Sequence, residues 1–298
     1  MFEKVSPWHP DKLADRIAGA IVDLAYNQEE DPRIAVEVLL GHGLCYIIAE
    51  TSVEIDVEEV GSAVERITGG NDILIEYTEK PQDAHLAAIQ GEELVAADNG
   101  IFRGTVPDIE EKILSRIGRE LWAKIPHDGK MILDNGHLTI CQSNATEKEI
   151  REAIKPVIDT IEIWRPFRSI MINPIGDWTG GPNVDTGATN RKLGSDMGRA
   201  VTGGGLHGKD LSKADVSVNI YLHELAKAHN ATVEASCGIG GRTLVGLNPE
   251  ILAPVFRYEG DIVGKINSFE LATQVARRYI KNIGGFERFA EWGLICEI

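Results

Sequence analysis

Apolar positions along the chain alternate between helical and strand periods, and the same order of periods comes round three times. In "HPDKLADRIAGAIVDLAYN" (residues 9–27), Leu13, Ile17, Ile21 and Leu24 fall on one helical face, and Pro10 suits a first turn. Two strand-like runs follow, "RIAVEVLL" and "LCYIIAETS", joined by "GHG" as a hairpin. "IDVEEVGSAVERI" then reads as a helix and "ILIEYT" as a strand. The second round has a helix, "PDIEEKILSRIGRELWAKI", and a hairpin, "KMILDNGHLTICQS", turning at Asn135-Gly136. A second helix, "ATEKEIREAIKPVIDTI", opens on Thr146 and Glu149 at capping-box spacing, and "FRSIMINP" closes the round as a strand. The third has "KADVSVNIYLHELAKAHN" as helix, "TVEASCGI" and "RTLVGLN" as strands and "FELATQVARRYIKNI" as a late helix.

A recurrence of roughly 100 residues is too long for a solenoid. It predicts an α+β protein of three similar domains, with helices on one face of each sheet. We place the domains at residues 1–104, 105–176 and 177–298. The least regular stretch, Gly69 to Gly104, holds "EKPQDAHLAAIQGEELVAADNG", which predicts a mobile loop at about residues 80–97.

Composition narrows the partners. The 298 residues carry a formal net charge of −16, which argues against nucleic acid or an anionic membrane surface as a main partner. No apolar run approaches the ~20 residues of a membrane helix, and the first residues lack a signal-peptide core. The four cysteines, Cys45, Cys141, Cys237 and Cys296, are scattered, as expected of reduced thiols in a cytoplasmic protein. One window departs from the acidic average. Between Arg191 and Lys213, five cations (Arg191, Lys192, Arg199, Lys209, Lys213) stand against Asp196 and Asp210. A local basic cluster of this kind suits a small anionic substrate.

Three segments carry candidate chemistry. "HPDK" (residues 9–12) places His9 and Asp11 at a helix start, which is either an ordinary helix opening or a histidine poised beside a metal-binding carboxylate. "GGPNVDTGATNRK" (180–192) sets glycines ahead of Asp185 and the Arg191-Lys192 pair, a planar fork and a point charge for phosphate oxygens. "GGGLHGKDLSKAD" (203–215) nearly spells a Walker loop, but Asp210 occupies the hydroxyl position and "SDMGRAVT" before it does not read as a buried strand. We therefore read it as a glycine-flexed loop presenting Lys209 and Lys213 to a polyphosphate outside the P-loop fold. His207 lies within it. His42 and His137 read as turn residues.

Together "HPDKLADRI", "INPIGDWTGGPNVDTGATNRK" and "GGGLHGKDLSKAD" closely resemble the S-adenosylmethionine synthetase (methionine adenosyltransferase) family. The family patterns are G-H-P-D-K, I-N-P-x-G-x-F-x-x-G-G-P-x-x-D-x-G-x-x-G-R-K and G-G-G-A-F-S-G-K-D-x-x-K-x-D, in the same order. The resemblance runs from His9 to at least Asp215. It implies three βαββαβ-type domains with pseudo-threefold symmetry and a homodimer with active sites at the subunit interface. It also implies synthesis of S-adenosylmethionine from ATP and L-methionine. In that reaction sulfur attacks C5′ and expels tripolyphosphate, which is then hydrolysed to pyrophosphate and phosphate.

By the same resemblance, His9, Lys130, Arg191, Lys192, Lys209 and Lys213 are the catalytic residues. ATP contacts extend to Asp128, Asp177, Trp178, Asp185 and Gly205, with Trp178 standing where the family has a Phe stacked on adenine. Glu50, Leu86, Asp98, Asp185 and Lys213 match the methionine site. Asp11 and Asp215 match Mg²⁺ ligands, two ions per site, and Glu37 a K⁺ position. The sequence departs from the pattern at Ser6-Pro7-Trp8 (family S-E-G), at "TNRK" (family T-G-R-K), at "GLHGKD" and at Leu86, where the family has Gln. The loop before Asp98 is also short. These departures bear on methionine selectivity and lid closure, and motivate an alternative: a tripolyphosphatase or ATPase without methionine transfer. A non-catalytic partner subunit is disfavoured by the full set of lysines.

Overall fold

The structure is a computed structural model describing residues 1–70, 73–89, 95–201, 204–242, 257–258, 261–262 and 269–295. The strand expected at 242–248 lies outside the described residues apart from Arg242, as do Gly203 and residues 90–94 of the expected loop.

The chain opens with β1 (Phe2–Val5) and α1 (Pro10–Gln28), whose helical period buries Leu13, Ile17 and Ile21. The hairpin of β2 (Ile34–Gly41) and β3 (Leu44–Thr51) turns on His42-Gly43, at φ of 53° and 78°. Such a left-handed pair matches the twist of a two-residue hairpin. Helix α2 (Val57–Thr68), capped by Asp56, leads to β4 (Leu74–Lys80), which lies parallel to β3. A short α3 (Ala84–Ile89) and β5 (Gly100–Gly104) follow.

The second round gives α4 (Ile109–Lys124), β6 (Gly129–Asp134), β7 (His137–Gln142), α5 (Glu147–Glu162) and β8 (Ser169–Ile172). Asn135-Gly136 repeats the left-handed turn, at 54° and 82°, and the Thr146–Glu149 capping box forms. After β9 (Gly187–Ala188) and α6 (Leu193–Met197) come α7 (Ala214–His229), β10 (Val233–Cys237), α8 (Phe269–Ile283) and α9 (Phe286–Trp292).

Among the described residues, three sheets each borrow a strand from another part of the chain, and a fourth is the short local pairing of Arg257–Tyr258 with Asp261–Ile262. The first has the order β4-β3-β2-β9, the second β1-β6-β7-β8, and β5 pairs with β10 in the third. The expected β-α-β-β-α-β pattern is thus met in the first two units by taking β9 and β1 as their leading strands. Residues 2–5 therefore belong to the second sheet and residues 187–188 to the first. Both borrowed strands add antiparallel to an edge, where backbone donors and acceptors accept any chain with the right register. Among the described residues, three apolar cores sit between sheets and helices, and the first is extended by Tyr279, Phe286 and Phe289 against α1.

The borrowed strand β9 positions the site. A Cβ on Gly187 would lie 2.0 Å from the Pro10 carbonyl carbon, so glycine alone allows segment 180–192 to cross the start of α1. The outer face of the first sheet is left open and carries Leu39, Leu44, Tyr46, Ile48 and Leu74. Among the described residues no helix is long and apolar enough to cross a membrane.

Candidate active site

His9 caps α1. The Asp11 N–H donates to His9 Nδ1 at 3.2 Å, which leaves the ring proton on Nε2. Burial first, and Lys192 second, lower the His9 pKa to about 4. The ring is therefore neutral at pH 7 and offers Nε2–H as a donor. Asp11 accepts the Ala188 N–H at 2.9 Å and Lys192 Nζ at 2.8 Å, with Arg191 Nη1 at 3.6 Å. Burial works against the Asp11 charge, but the Lys192 and Ala188 bonds outweigh it and hold the carboxyl below its ordinary range. Lys130 and Asp185 also act on the His9 ring.

Asp128 accepts the Gly181 N–H at 2.9 Å through Oδ2. Burial pushes its pKa to about 6. A Cβ on Gly180 would come within 2.6 Å of both Asp128 Oδ2 and the Trp178 ring, which ties Trp178 to this group. Trp178, Asp177, Asn144 and Thr146 line an open cavity of about 510 Å³.

A second group forms further along β2. The backbone of Lys209 bridges Ala35, and its Nζ donates to Asp215 at 2.8 Å. Burial lowers the Lys213 pKa; Asp210, Arg33, Lys209 and Glu50 also act on it. Glu50 stands opposite Ala35 in β3, on the same outer face. Asp98 approaches through Cys237, whose Sγ lies 3.7 Å from the Asp98 carbonyl oxygen. Ala188 pairs with Leu39 and Lys209 with Ala35, so the backbones that carry the two groups meet β2 at points four residues, roughly 13 Å, apart. Glu37 sits between them and accepts the Thr189 hydroxyl. Leu86 is exposed on α3, and the polar contacts that define the two groups do not reach it.

Beneath both groups lies a buried quartet that motif reading missed. Lys12 Nζ donates to Asp196 at 2.7 Å and to Asp15 at 3.1 Å, and lies 3.4 Å from His207 Nε2, which is 3.0 Å from Asp196. All four side chains are at most 1 % exposed. Burial opposes the Lys12 charge, but the two carboxylates outweigh it and raise its pKa. Burial likewise works against Asp196, yet Lys12 and His207 hold its carboxyl below the usual range. The Asp15, Asp196 and His207 donor atoms lie within 4.8 Å of one another, a spacing that could hold a metal ion, but the Lys12 ammonium already stands among them. The available signal was the i,i+3 pair Lys12–Asp15, placed beside the buried stripe of α1.

The model of the S-adenosylmethionine synthetase N-terminal domain matches residues 1–89. S-adenosylmethionine synthase 1 of Rhodopseudomonas palustris is 28% identical over 296 residues, covering 82% of this chain and 76% of that protein. The S-adenosylmethionine synthase of Thermus thermophilus is 27% identical over 322 residues, covering 83% and 80%. In shape, the chain matches the solved structure of an "unusual" S-adenosylmethionine synthetase from Campylobacter jejuni. The TM-score is 0.73 at 19% identity, over all of this chain and 95% of that one, which is a likeness of fold.

The chain is similar to the S-adenosylmethionine synthetases.

Its departures from the synthetase pattern have local physical reasons. Trp8 packs where a Cβ on Gly69 would come within 2.8 Å of the indole and one on Gly181 within 3.1 Å. Ser6 holds this turn by donating to the His127 carbonyl and accepting the Trp8 N–H. Asn190, in the glycine position of T-G-R-K, has φ of 62°, a left-handed conformation that Asn tolerates. His207, in the altered "GLHGKD" loop, fills the buried quartet.

Proposed function

We propose that the chain makes S-adenosylmethionine from ATP and L-methionine. The observation that carries this reading is the convergence on one helix start of a neutral His9 donor, the Asp11–Lys192–Arg191 cluster and the Asp128–Trp178 corner. A lone pair of the thioether sulfur forms the S–C5′ bond, and the C5′–O5′ bond breaks with its electrons passing to triphosphate. Neutral thioethers are weak nucleophiles, so the departing charge must be met by groups fixed in advance. His9 Nε2–H, Lys130, Arg191 and Lys192 supply those donors, and Lys209 and Lys213 supply them from the second group. Trp178 offers a face for the base, and Asp177, Asp185 and Gly205 complete the ATP surface. Glu50 and Asp98 favour the positive sulfonium product by charge. Hydrolysis then cuts tripolyphosphate to pyrophosphate and phosphate.

Asp11 and Asp215 are hard oxygen donors, as Mg²⁺ requires, and each retains lone pairs beyond its lysine contact. They would hold two Mg²⁺, which when bound neutralise polyphosphate charge; Glu37 would hold K⁺. The apolar outer face of the first sheet, which runs between the two groups, supports a homodimer in which the partner copy completes each site. The free thiols of Cys45, Cys141 and Cys237 support a cytoplasmic setting.

Leu86 favours a second reading, a tripolyphosphatase that has lost methionine transfer. Incubation with ATP, Mg²⁺ and methionine separates the two: phosphate release that ignores methionine and yields no sulfonium product refutes the synthetase. Lys209→Ala is expected to lower kcat by about 10²-fold or more with an unchanged circular-dichroism spectrum. Near-normal turnover would show that the triphosphate lies elsewhere.

A further inference from the structure

Four cations of this site, Arg191, Lys192, Lys209 and Lys213, sit on two loops, and the Asn190 side chain joins those loops. Asn190 immediately precedes Arg191 and Lys192, and His207 stands two residues before Lys209. Asn190 Oδ1 accepts the His207 N–H at 2.8 Å, and Asn190 Nδ2 donates to the His207 carbonyl at 3.2 Å. The amide therefore satisfies both backbone groups of one residue, as a strand neighbour would. Its own N–H donates to Asp15 Oδ1 at 2.7 Å, anchoring the clamp to α1. On either side the loops are fixed to different places. Lys192 is held by Asp11, whereas Gly208 and Asp210 bond to β2 at Val36 and Ile34. The close fit leaves no room for slack, since a Cβ on Gly205 would lie 2.6 Å from Asn190 Nδ2.

We propose that Asn190 is a positioning residue that fixes the Arg191–Lys192 loop against the Lys209–Lys213 loop, and so sets the spacing of cations met by a polyphosphate chain. The inference rests on the triphosphate reading given above. It holds whichever copy's phosphates each cation pair meets, because the relative placement is set within one chain. Asn suits the position on two counts: it tolerates a φ of 62°, and its amide presents a donor and an acceptor in one plane.

Asn190→Gly keeps that backbone conformation and removes only the clamp. His207→Ala is the counterpart: it breaks the buried quartet but leaves the His207 N–H and carbonyl for Asn190. Binding of inorganic tripolyphosphate with Mg²⁺ to the full chain, measured by calorimetry, reads the spacing directly, and thermal unfolding reads stability. Asn190→Gly is expected to bind about tenfold more weakly with a small change in Tm, and His207→Ala to bind nearly as wild type with a clearly lower Tm. Wild-type affinity in Asn190→Gly, or losses of affinity in the two variants that follow their losses of Tm, overturns the clamp while leaving the functional reading intact. A wild-type chain that does not bind tripolyphosphate overturns both.

Discussion

Replacing Lys12 with Met tests whether the buried quartet is neutralised by this chain's own cation. The ammonium is 2.7 Å from Asp196 and 3.1 Å from Asp15, and the lysine side chain is 1 % exposed. At an effective dielectric constant of 20 these contacts are worth about 6 and about 5 kcal/mol. Desolvating the lysine offsets several kcal/mol of that, so removing it is expected to cost about 3–5 kcal/mol, the range seen when one partner of a buried pair is lost. That is a large share of the ~5–15 kcal/mol that keeps a domain folded. In urea, at a slope of roughly 3 kcal/mol/M, the midpoint should fall by about 1–1.7 M. Circular dichroism at pH 7 in EDTA measures it. Lys12→Met/Asp196→Asn should recover part of the loss, since it removes one stranded carboxylate. A single variant within about 1 kcal/mol of wild type refutes the argument.

Two further substitutions, one with a control outside the site, test the packing and electrostatics of the site. Asp128 has its carboxyl raised from 3.8 to about 6 by burial, so between these values the folded state holds a proton that the unfolded state has released. Stability then falls as pH rises through that window, by about 3 kcal/mol in all. Asp128→Asn is expected to lower turnover, yet to gain stability on wild type by about that amount between pH 4 and pH 7; parallel stability profiles for the two proteins would contradict this. Gly187→Ala places a Cβ 2.0 Å from backbone and is expected to cost more than about 2 kcal/mol. Gly61→Ala, in α2, where an added Cβ would meet no atom of the described residues within 4 Å beyond its own helix, should instead stabilise by about 0.5–1 kcal/mol, and equal melting shifts for the pair would refute the close-approach account.

The sequence by itself determined the elements, because their signals are local. The 3.6-residue period of α1, the left-handed turns at Gly43 and Gly136 and the Thr146–Glu149 cap each depend on neighbours a few residues away. The glycine-and-cation loops were legible for the same reason, and so was the placement of His9 and Asp11 at a helix start. Tertiary structure alone decided which sheet each edge strand joins. Residues 2–5 and 187–188 pair far from their chain neighbours, and backbone hydrogen bonding carries no sequence label. It also decided which charges are buried. Lys12 and Asp15 read as ordinary helix polars until Asp196 and His207, nearly 200 residues away, close over them, because the cost of an unpaired buried charge is set only by what packs against it. The same holds for Asn190, a loop residue by sequence, whose amide finds both of its partners on a loop seventeen residues further on.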